Sequence, residues 1–315
     1  MNIQFLYTEK ISNKLRANVT KESFRYIHQP KFVFLCGAGV SNGENRYQTK
    51  RGIVGRYINN KKDAIFCVWS EDLWMQNSFY TEEIDLLTFE EFLAELCDYI
   101  IIFVESFGSA CELGAFTLKD KKFIKKMLIV LDKRRENDAS FINQGPVAKA
   151  RKNDAKIIYI DFEKALMGEN IFVSEIDKML NSFDERSAQN KINKNDSEQK
   201  INISSFVIEI LEIIKILEPI SQEDVIIVYK CLKGFKSFSF AKKDGTHFNS
   251  NISIGYIFRF LEKIGLIKKE DNKYSVTNVD LTLGLLFGTG SFRLSKLRSR
   301  LIALQYKYRC RGNNL

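Results

Sequence analysis

Tyr99-Ile-Ile-Ile-Phe-Val104 runs directly into Glu105-Ser-Phe-Gly108-Ser109-Ala-Cys-Glu112-Leu-Gly114-Ala-Phe116. Six consecutive β-branched or aromatic residues with no polar alternation predict a strand buried on both faces. Such strands belong to a parallel sheet held between helix layers. The loop after it carries a carboxylate and a glycine. Ser109-x-x-Glu112 has capping-box spacing, which predicts a helix beginning there with Glu112 in its first turn.

Four further segments have the same character. Lys31 to Gly39 (KFVFLCGAG) is an apolar run that breaks on glycines, and Ala64 to Trp69 leads into Ser70-Glu71-Asp72. Met127 to Asp132 and Lys156 to Asp161 complete the set. Helical patterns lie between several of them. Thr88 to Asp98 opens with Thr88-x-x-Glu91 and places Phe89, Phe92, Leu93 and Leu96 on one face. The expected fold is α/β, a doubly wound and mostly parallel sheet, with ligands at the C-terminal ends of the strands.

The whole sequence has 315 residues, 45% apolar and 28% charged, which excludes a disordered or fibrous chain. Lys and Arg number 48 against 39 Asp and Glu, and this excess of nine points to an anionic partner. No apolar stretch is long enough to span a membrane, and the N-terminus lacks the features of a signal peptide. A cytoplasmic protein with no membrane association is expected. The six cysteines stand at least fourteen positions apart. They read as reduced, buried small hydrophobes. With only His28 and His247, neither a histidine-based metal centre nor a Ser-His-Asp triad is expected.

The domain reading is a helical segment over 1–30, an enzyme-like domain over 31–180, a polar linker over 181–202 that could equally be an exposed helix, and a second domain over 203–315. In the last, helices at Ile203 to Leu217, Glu223 to Leu232 and Ser253 to Ile264 precede a hairpin turning at Asp271-Asn272. Three helices followed by a hairpin is the order of a winged helix. From Leu281 onward there are seven basic residues and no acidic one. Tyr306 and Tyr308 alternate there with Lys307 and Arg309, a pattern suited to single-stranded nucleic acid and equally to an amphipathic end. Arg298, Arg300, Lys307 and Arg309 are the candidate phosphate contacts.

Gly37-Ala-Gly39 with Gly43 matches a dinucleotide fingerprint only loosely, because the third glycine comes one place late. A glycine turn after a first strand still lets backbone N–H groups approach a phosphate or sugar. Glu112 is either the cap of its helix or an ionised carboxylate aimed at an electrophilic sugar carbon. The helix terminus is expected to lower its pKa. Gly108 and Gly114 are expected to allow close approach of ligand and sheet. A second carboxylate is sought among Glu105, Glu71 and Asp72, all at strand ends. Asp98, at the opposite end of its strand, is expected to be structural.

Taken together, FLCG (Phe34 to Gly37), EDLW (Glu71 to Trp74), LTFEEFLAELCD (Leu87 to Asp98), VESFGSACELGAF (Val104 to Phe116) and SFINQGPVAKARK (Ser140 to Lys152) resemble a known family. It is that of the nucleoside deoxyribosyltransferase-like effectors encoded beside retron reverse transcriptases. The resemblance implies an N-glycosidase that takes NAD as substrate and needs no cofactor. It implies inhibition within an assembly containing the reverse transcriptase and its RNA-linked multicopy single-stranded DNA, in a homo-oligomeric or higher-order state. By the same resemblance Glu112 is the nucleophile, and the C-terminal part is winged-helix-like. The classical deoxyribosyltransferases carry an Asp where this chain has Ser106, with Glu105 one residue earlier. That departure suits hydrolysis, or another leaving group, better than base exchange. Cys36, Gly37, Glu71, Asp72, Ser106, Gly108, Ser109 and Asn143 are the expected substrate contacts, Asn143 lying in a turn that faces the nucleobase or is a plain turn. Two other readings stand beside this one: an inert nucleotide- or DNA-binding assembly module, and a nucleoside deoxyribosyltransferase.

Overall fold

The computed structural model describes residues 30–39, 45–61, 64–74, 85–165, 170–181, 199–235, 237–241 and 253–277, together with 298, 299 and 303. Five apolar runs form a single sheet: β1 (Lys31–Cys36), β2 (Ile65–Val68), β3 (Tyr99–Phe103), β4 (Met127–Asp132) and β5 (Lys156–Ile160). All pairings are parallel and the strand order is β2-β1-β3-β4-β5. β3 is therefore central and every one of its residues is buried, as its unbroken apolar run requires.

Helices cover both faces. On one, Val33, Leu35, Ile101, Phe103 and Val130 pack with Ile53 and Ile58 of α1 (Lys50–Asn59) and Ile176 of α8 (Asn170–Asn181). On the other, Phe34 meets Phe116 with ring centroids 6.4 Å apart. Phe116 ends α4 (Phe107–Phe116), and α3 (Leu86–Leu96) contributes buried Phe89, Phe92, Leu93 and Leu96. Each such aromatic or aliphatic side chain contributes about 1.5–3 kcal/mol when fully buried. Short helices α2 (Ser70–Trp74), α5 (Lys121–Lys125), α6 (Ala148–Lys152) and α7 (Phe162–Ala165) complete the connections. Reversal of the winding direction between β1 and β3 makes the crevice at their C-terminal ends the place for a ligand.

The described residues from 199 to 241 and from 253 onward belong to a second compact unit. Its centre is α9 (Ile203–Leu217), buried almost all round. α10 (Gln222–Lys233) and α11 (Ile254–Lys263) accompany it. β7 (Ile220–Ser221), β10 (Lys273–Val276) and β9 (Ile267–Glu270) form an antiparallel sheet in that order. The hairpin turns at Asp271 and Asn272, both left-handed at φ 48° and 58°, the geometry of a tight two-residue turn. Glu209 of α9 is buried against Lys233 and accepts a 2.8 Å hydrogen bond from Tyr229 Oη.

Several expectations are corrected here. Residues 199–202, assigned to the linker, form β6 (Gln199–Asn202), which pairs in parallel with β8 (Phe238–Ala241). Asp85, not Thr88, caps α3, its side chain accepting from Thr88 N at 2.8 Å. The Asn143 segment is no turn: Asn143–Val147 is a π-helical stretch continuous with α6, and Pro146 sits inside it. Cys36 and Cys97 are buried, but Cys111 is exposed. The expected helix over 1–30 lies outside the described residues apart from Pro30.

Candidate active site

Ser106, not Ser109, caps α4. Its Oγ accepts from Ser109 N at 3.1 Å, while Ser109 Oγ accepts from the backbone N–H groups of Glu105 and Ser106 at 3.1 and 3.0 Å. This reciprocal box, with Ser109 fully buried, fixes the exit of β3 to the start of α4. Glu112 consequently lies in the second turn, not the first. The expectation that the helix terminus lowers its pKa is overturned: burial raises it above the ordinary carboxylate range.

The carboxyl group beside Glu112 is none of those expected from sequence. It is Glu90 of α3, only 7% exposed. Burial, then the charge of Glu112, pushes its pKa up to about 8. The charges of Glu90 and Glu112 both act on the Cys36 thiol. Cys36 ends β1, and burial together with these carboxylates raises its pKa well above the usual thiol value. It stays a neutral thiol and is not a nucleophile.

Arg51, in the first turn of α1, is 2% exposed. One guanidinium nitrogen pairs with Glu71 Oε1, another donates to Leu35 O at 3.4 Å, and the group lies 5.2 Å from the Trp69 ring centroid. α1 can start so close to the Arg46–Gln48 turn because residue 52 is glycine; a Cβ there would sit 1.7 Å from Arg46 O. Arg51 Nε, Glu71 Oε2 and Glu112 Oε2 are all buried without a hydrogen-bond partner. A buried polar atom left unpaired costs about 1–3 kcal/mol. Three of them in one cluster, at the crevice the topology provides, mark a place built for a polar ligand.

The other expected residues take different positions. Glu105 accepts from Lys50 Nζ at 2.6 Å and from Ala38 N at 3.3 Å, so it braces the Gly37–Ala38 loop. A Cβ on Gly37 would stand 3.2 Å from both Arg51 Cδ and Glu105 Oε1, so a larger residue there would make those side chains shift by a few tenths of an ångström. Asp72 is bound by Arg46, at 2.6 Å from Nη1. A Cβ on Gly114 would meet nothing within 4 Å and one on Gly108 only Ser106 Oγ at 3.8 Å, so neither glycine is needed for packing of α4 on the sheet. Asp98 accepts from Phe32 N at 2.9 Å, a link between strands at the far edge of the sheet.

A cavity of about 1080 Å³ opens on the other flank of α4, lined by Lys50, Glu105, Ser106, Phe107, Arg135 and Asn143 among others. Asn143 Nδ2 donates to Arg135 O and Asp138 O at 2.7 and 2.9 Å, which shapes its wall. Ala110 lines this cavity. Glu112, two residues on and turned by about 200° on the helix, does not. Among the described residues no cluster of His, Cys, Asp and Glu could hold a metal ion.

Of the basic residues expected to meet nucleic acid, Arg298 donates to Glu218 at 3.0 Å and remains 44% exposed. Arg300, Lys307 and Arg309 lie outside the described residues, as do Tyr306 and Tyr308. No helix among the described residues is long and apolar enough to cross a membrane.

Residues 47–269 match the family described as STM3845 retron effector protein. The chain belongs to the STM3845 retron effector family. The matched span contains Arg51, Glu71, Glu90 and Glu112. Two curated Escherichia coli proteins are also similar to this effector. The "Retron Ec86 putative ribosyltransferase/DNA-binding protein" is 33% identical over 154 residues, 48% of each chain. The "Retron Ec73 putative ribosyltransferase/DNA-binding protein" is 39% identical over 119 residues, 37% of each chain. The effector thus aligns with about half or less of the length of these relatives.

Proposed function

We propose that this effector is an N-glycosidase that hydrolyses the nicotinamide–ribose bond of NAD as the toxic arm of a retron antiphage system. The observation that carries the reading is the cluster of unpartnered buried atoms, Arg51 Nε, Glu71 Oε2 and Glu112 Oε2, beside a second buried carboxyl group. Such atoms suit the hydroxyl groups of a ribose, with Glu112 facing the anomeric carbon. The similarity to proteins named ribosyltransferases supports the same class of chemistry.

In this mechanism the Glu112 carboxylate forms a bond to the anomeric carbon. The carbon–nitrogen bond breaks, and its electron pair leaves with nicotinamide. Because the nicotinamide ring is cationic in NAD, it departs neutral without receiving a proton. Water then hydrolyses the glycosyl-enzyme, giving ADP-ribose and one proton and restoring Glu112. Arg51 holds Glu71 and, through it, the sugar-facing edge of the site.

The second unit, with its three helices and antiparallel hairpin, supplies a winged-helix-like surface for the RNA-linked single-stranded DNA. The reverse transcriptase joins that assembly and keeps the enzyme inactive until infection. The discriminating experiment incubates purified effector with NAD and, separately, with deoxynucleosides plus free base. Release of nicotinamide that disappears in Glu112→Gln supports hydrolysis. Base exchange would instead identify a transferase, and the absence of turnover in the free protein an inert binding module.

A further inference from the structure

The cavity beside α4 adjoins the cluster of unpartnered atoms. Lys50 and Arg51 are consecutive in the first turn of α1; Arg51 belongs to the cluster and Lys50 lines the cavity. A Cβ on Gly37 would stand 3.2 Å from Arg51 Cδ and as far from Glu105 Oε1, so a residue of the cluster and a residue of the cavity wall flank the same side of Gly37. The Lys50–Glu105 pair, closed at 2.6 Å, marks the divide between the two spaces. At about 1080 Å³ the cavity is far larger than one ribose needs. It stands at the upper end of the range of about 300–1,000 Å³ usual for cofactor-sized ligands.

Its lining selects among ligands. Phe107, the first residue of α4, is 95% exposed, so its ring adds almost nothing to the packing of the fold and is open to stacking. Both Nδ2 hydrogens of Asn143 are spent on Arg135 O and Asp138 O, which leaves the acceptor Oδ1 as what this side chain offers a ligand. The carboxylates of Asp132, Asp138 and Glu163 line the same space, each paired with Arg134 or Arg135. Acceptors so placed suit a flat base with an exocyclic amine and a sugar with free hydroxyl groups, and they repel a bare phosphate. The cation suited to phosphate, Lys50, stands at the divide instead, its Nζ also 4.8 Å from the Phe162 ring centroid.

We infer that the cavity is a second subsite of the same active site, one that takes the adenosine half of a dinucleotide. The diphosphate then crosses at Lys50, and the other ribose meets Arg51, Glu71 and Glu112. This rests on the glycosidase reading above. The subsite makes no bond and breaks none; it binds a part of the substrate remote from the reacting carbon. It thereby makes the enzyme selective for a dinucleotide over a mononucleotide or a nucleoside.

The test compares nicotinamide release from NAD and from nicotinamide mononucleotide, which lacks the adenylate half, by the full-length wild type, Phe107→Ala and Phe107→Trp. ADP binding to the same three proteins is measured by calorimetry. Wild-type kcat/KM for NAD should exceed that for the mononucleotide by about tenfold or more, chiefly through KM. Phe107→Ala should erase about tenfold of that preference and weaken ADP binding by about as much, the effect of losing one stacked base. Its melting temperature should match that of wild type, because the truncated side chain is exposed. Phe107→Trp should restore both, with indole fluorescence quenched by ADP beyond any change in wild type.

Equal kcat/KM for the two substrates in wild type, or a preference unchanged in Phe107→Ala, overturns the inference while leaving Glu112 as nucleophile. If neither substrate releases nicotinamide, the glycosidase reading fails and ADP binding decides the cavity by itself. ADP that does not bind wild type, or that binds Phe107→Ala as tightly, shows that the cavity is no adenylate subsite.

Discussion

Lys50 Nζ lies 2.6 Å from Glu105 Oε2, and both side chains are largely buried. This ion pair ties the first turn of α1 to the exit of β3, and Glu105 Oε1 reaches on to the N–H of Ala38. Glu105 is thus engaged in holding two strand ends together. Replacing Lys50 by Met leaves that carboxylate without its counter-ion and should cost about 2–4 kcal/mol, read as a lower melting temperature. Glu105→Gln should cost less and keep nicotinamide release within about tenfold of wild type.

Glu112→Gln should behave oppositely. The amide preserves volume and half of the polar contacts but cannot attack carbon, so turnover should drop by roughly 10³ or more with the melting temperature nearly unchanged. Near-normal turnover would refute the nucleophile assignment.

Two glycines in helices on opposite faces of the sheet should respond with opposite signs. Gly52→Ala drives a Cβ into Arg46 O, backbone against backbone, and should destabilise by about 3 kcal/mol while displacing Arg51. Gly114→Ala enters open space within α4 and should stabilise by about 0.5–1 kcal/mol through helix propensity. Denaturant midpoints of the two variants provide the comparison.

In the second unit, Lys233 is the counter-ion of the almost fully buried Glu209. Lys233→Met should cost about 3–5 kcal/mol near neutral pH, because an ionised Glu209 is then left uncompensated. Burial already raises the Glu209 pKa. Protonation at lower pH relieves the strain, so the deficit should shrink as pH falls. A deficit independent of pH would mean that lost packing, not charge, is responsible.

Alanine at Arg298, Arg300, Lys307 and Arg309 together should flatten the salt dependence of binding to the RNA-linked single-stranded DNA, by up to about 0.7 of slope per lost phosphate contact. It should also release active enzyme and make cells sicker. Equal binding at every salt concentration would place the contact surface elsewhere.

The sheet and most of the second unit were legible because long apolar runs, a strongly periodic α9 sequence and an Asp-Asn turn leave few alternatives. The helix start at α4 was misread because Ser106-x-x-Ser109 and Ser109-x-x-Glu112 both satisfy capping spacing. Only the exit direction of β3 selects the first. Glu90 was invisible for a different reason. In Phe-Glu-Glu-Phe-Leu-Ala-Glu-Leu, acids between apolar residues read as a solvated face, and nothing local announces that α3 is covered nearly all round. Arg51 gave no signal either, since its role depends on Glu71 and the Leu35 carbonyl, which only the folded sheet brings to it.

The placement of β1 between β2 and β3 sets an order of assembly. β1 gains both neighbours only after β3 has been synthesised, and such distant parallel pairings form slowly. Cys36, Arg51, Glu90 and Glu112 come from four elements, the last of which follows β3. A nascent or truncated chain ending before α4 therefore contains β2, β1 and β3, three adjacent strands of the sheet, together with Glu90 but without Glu112.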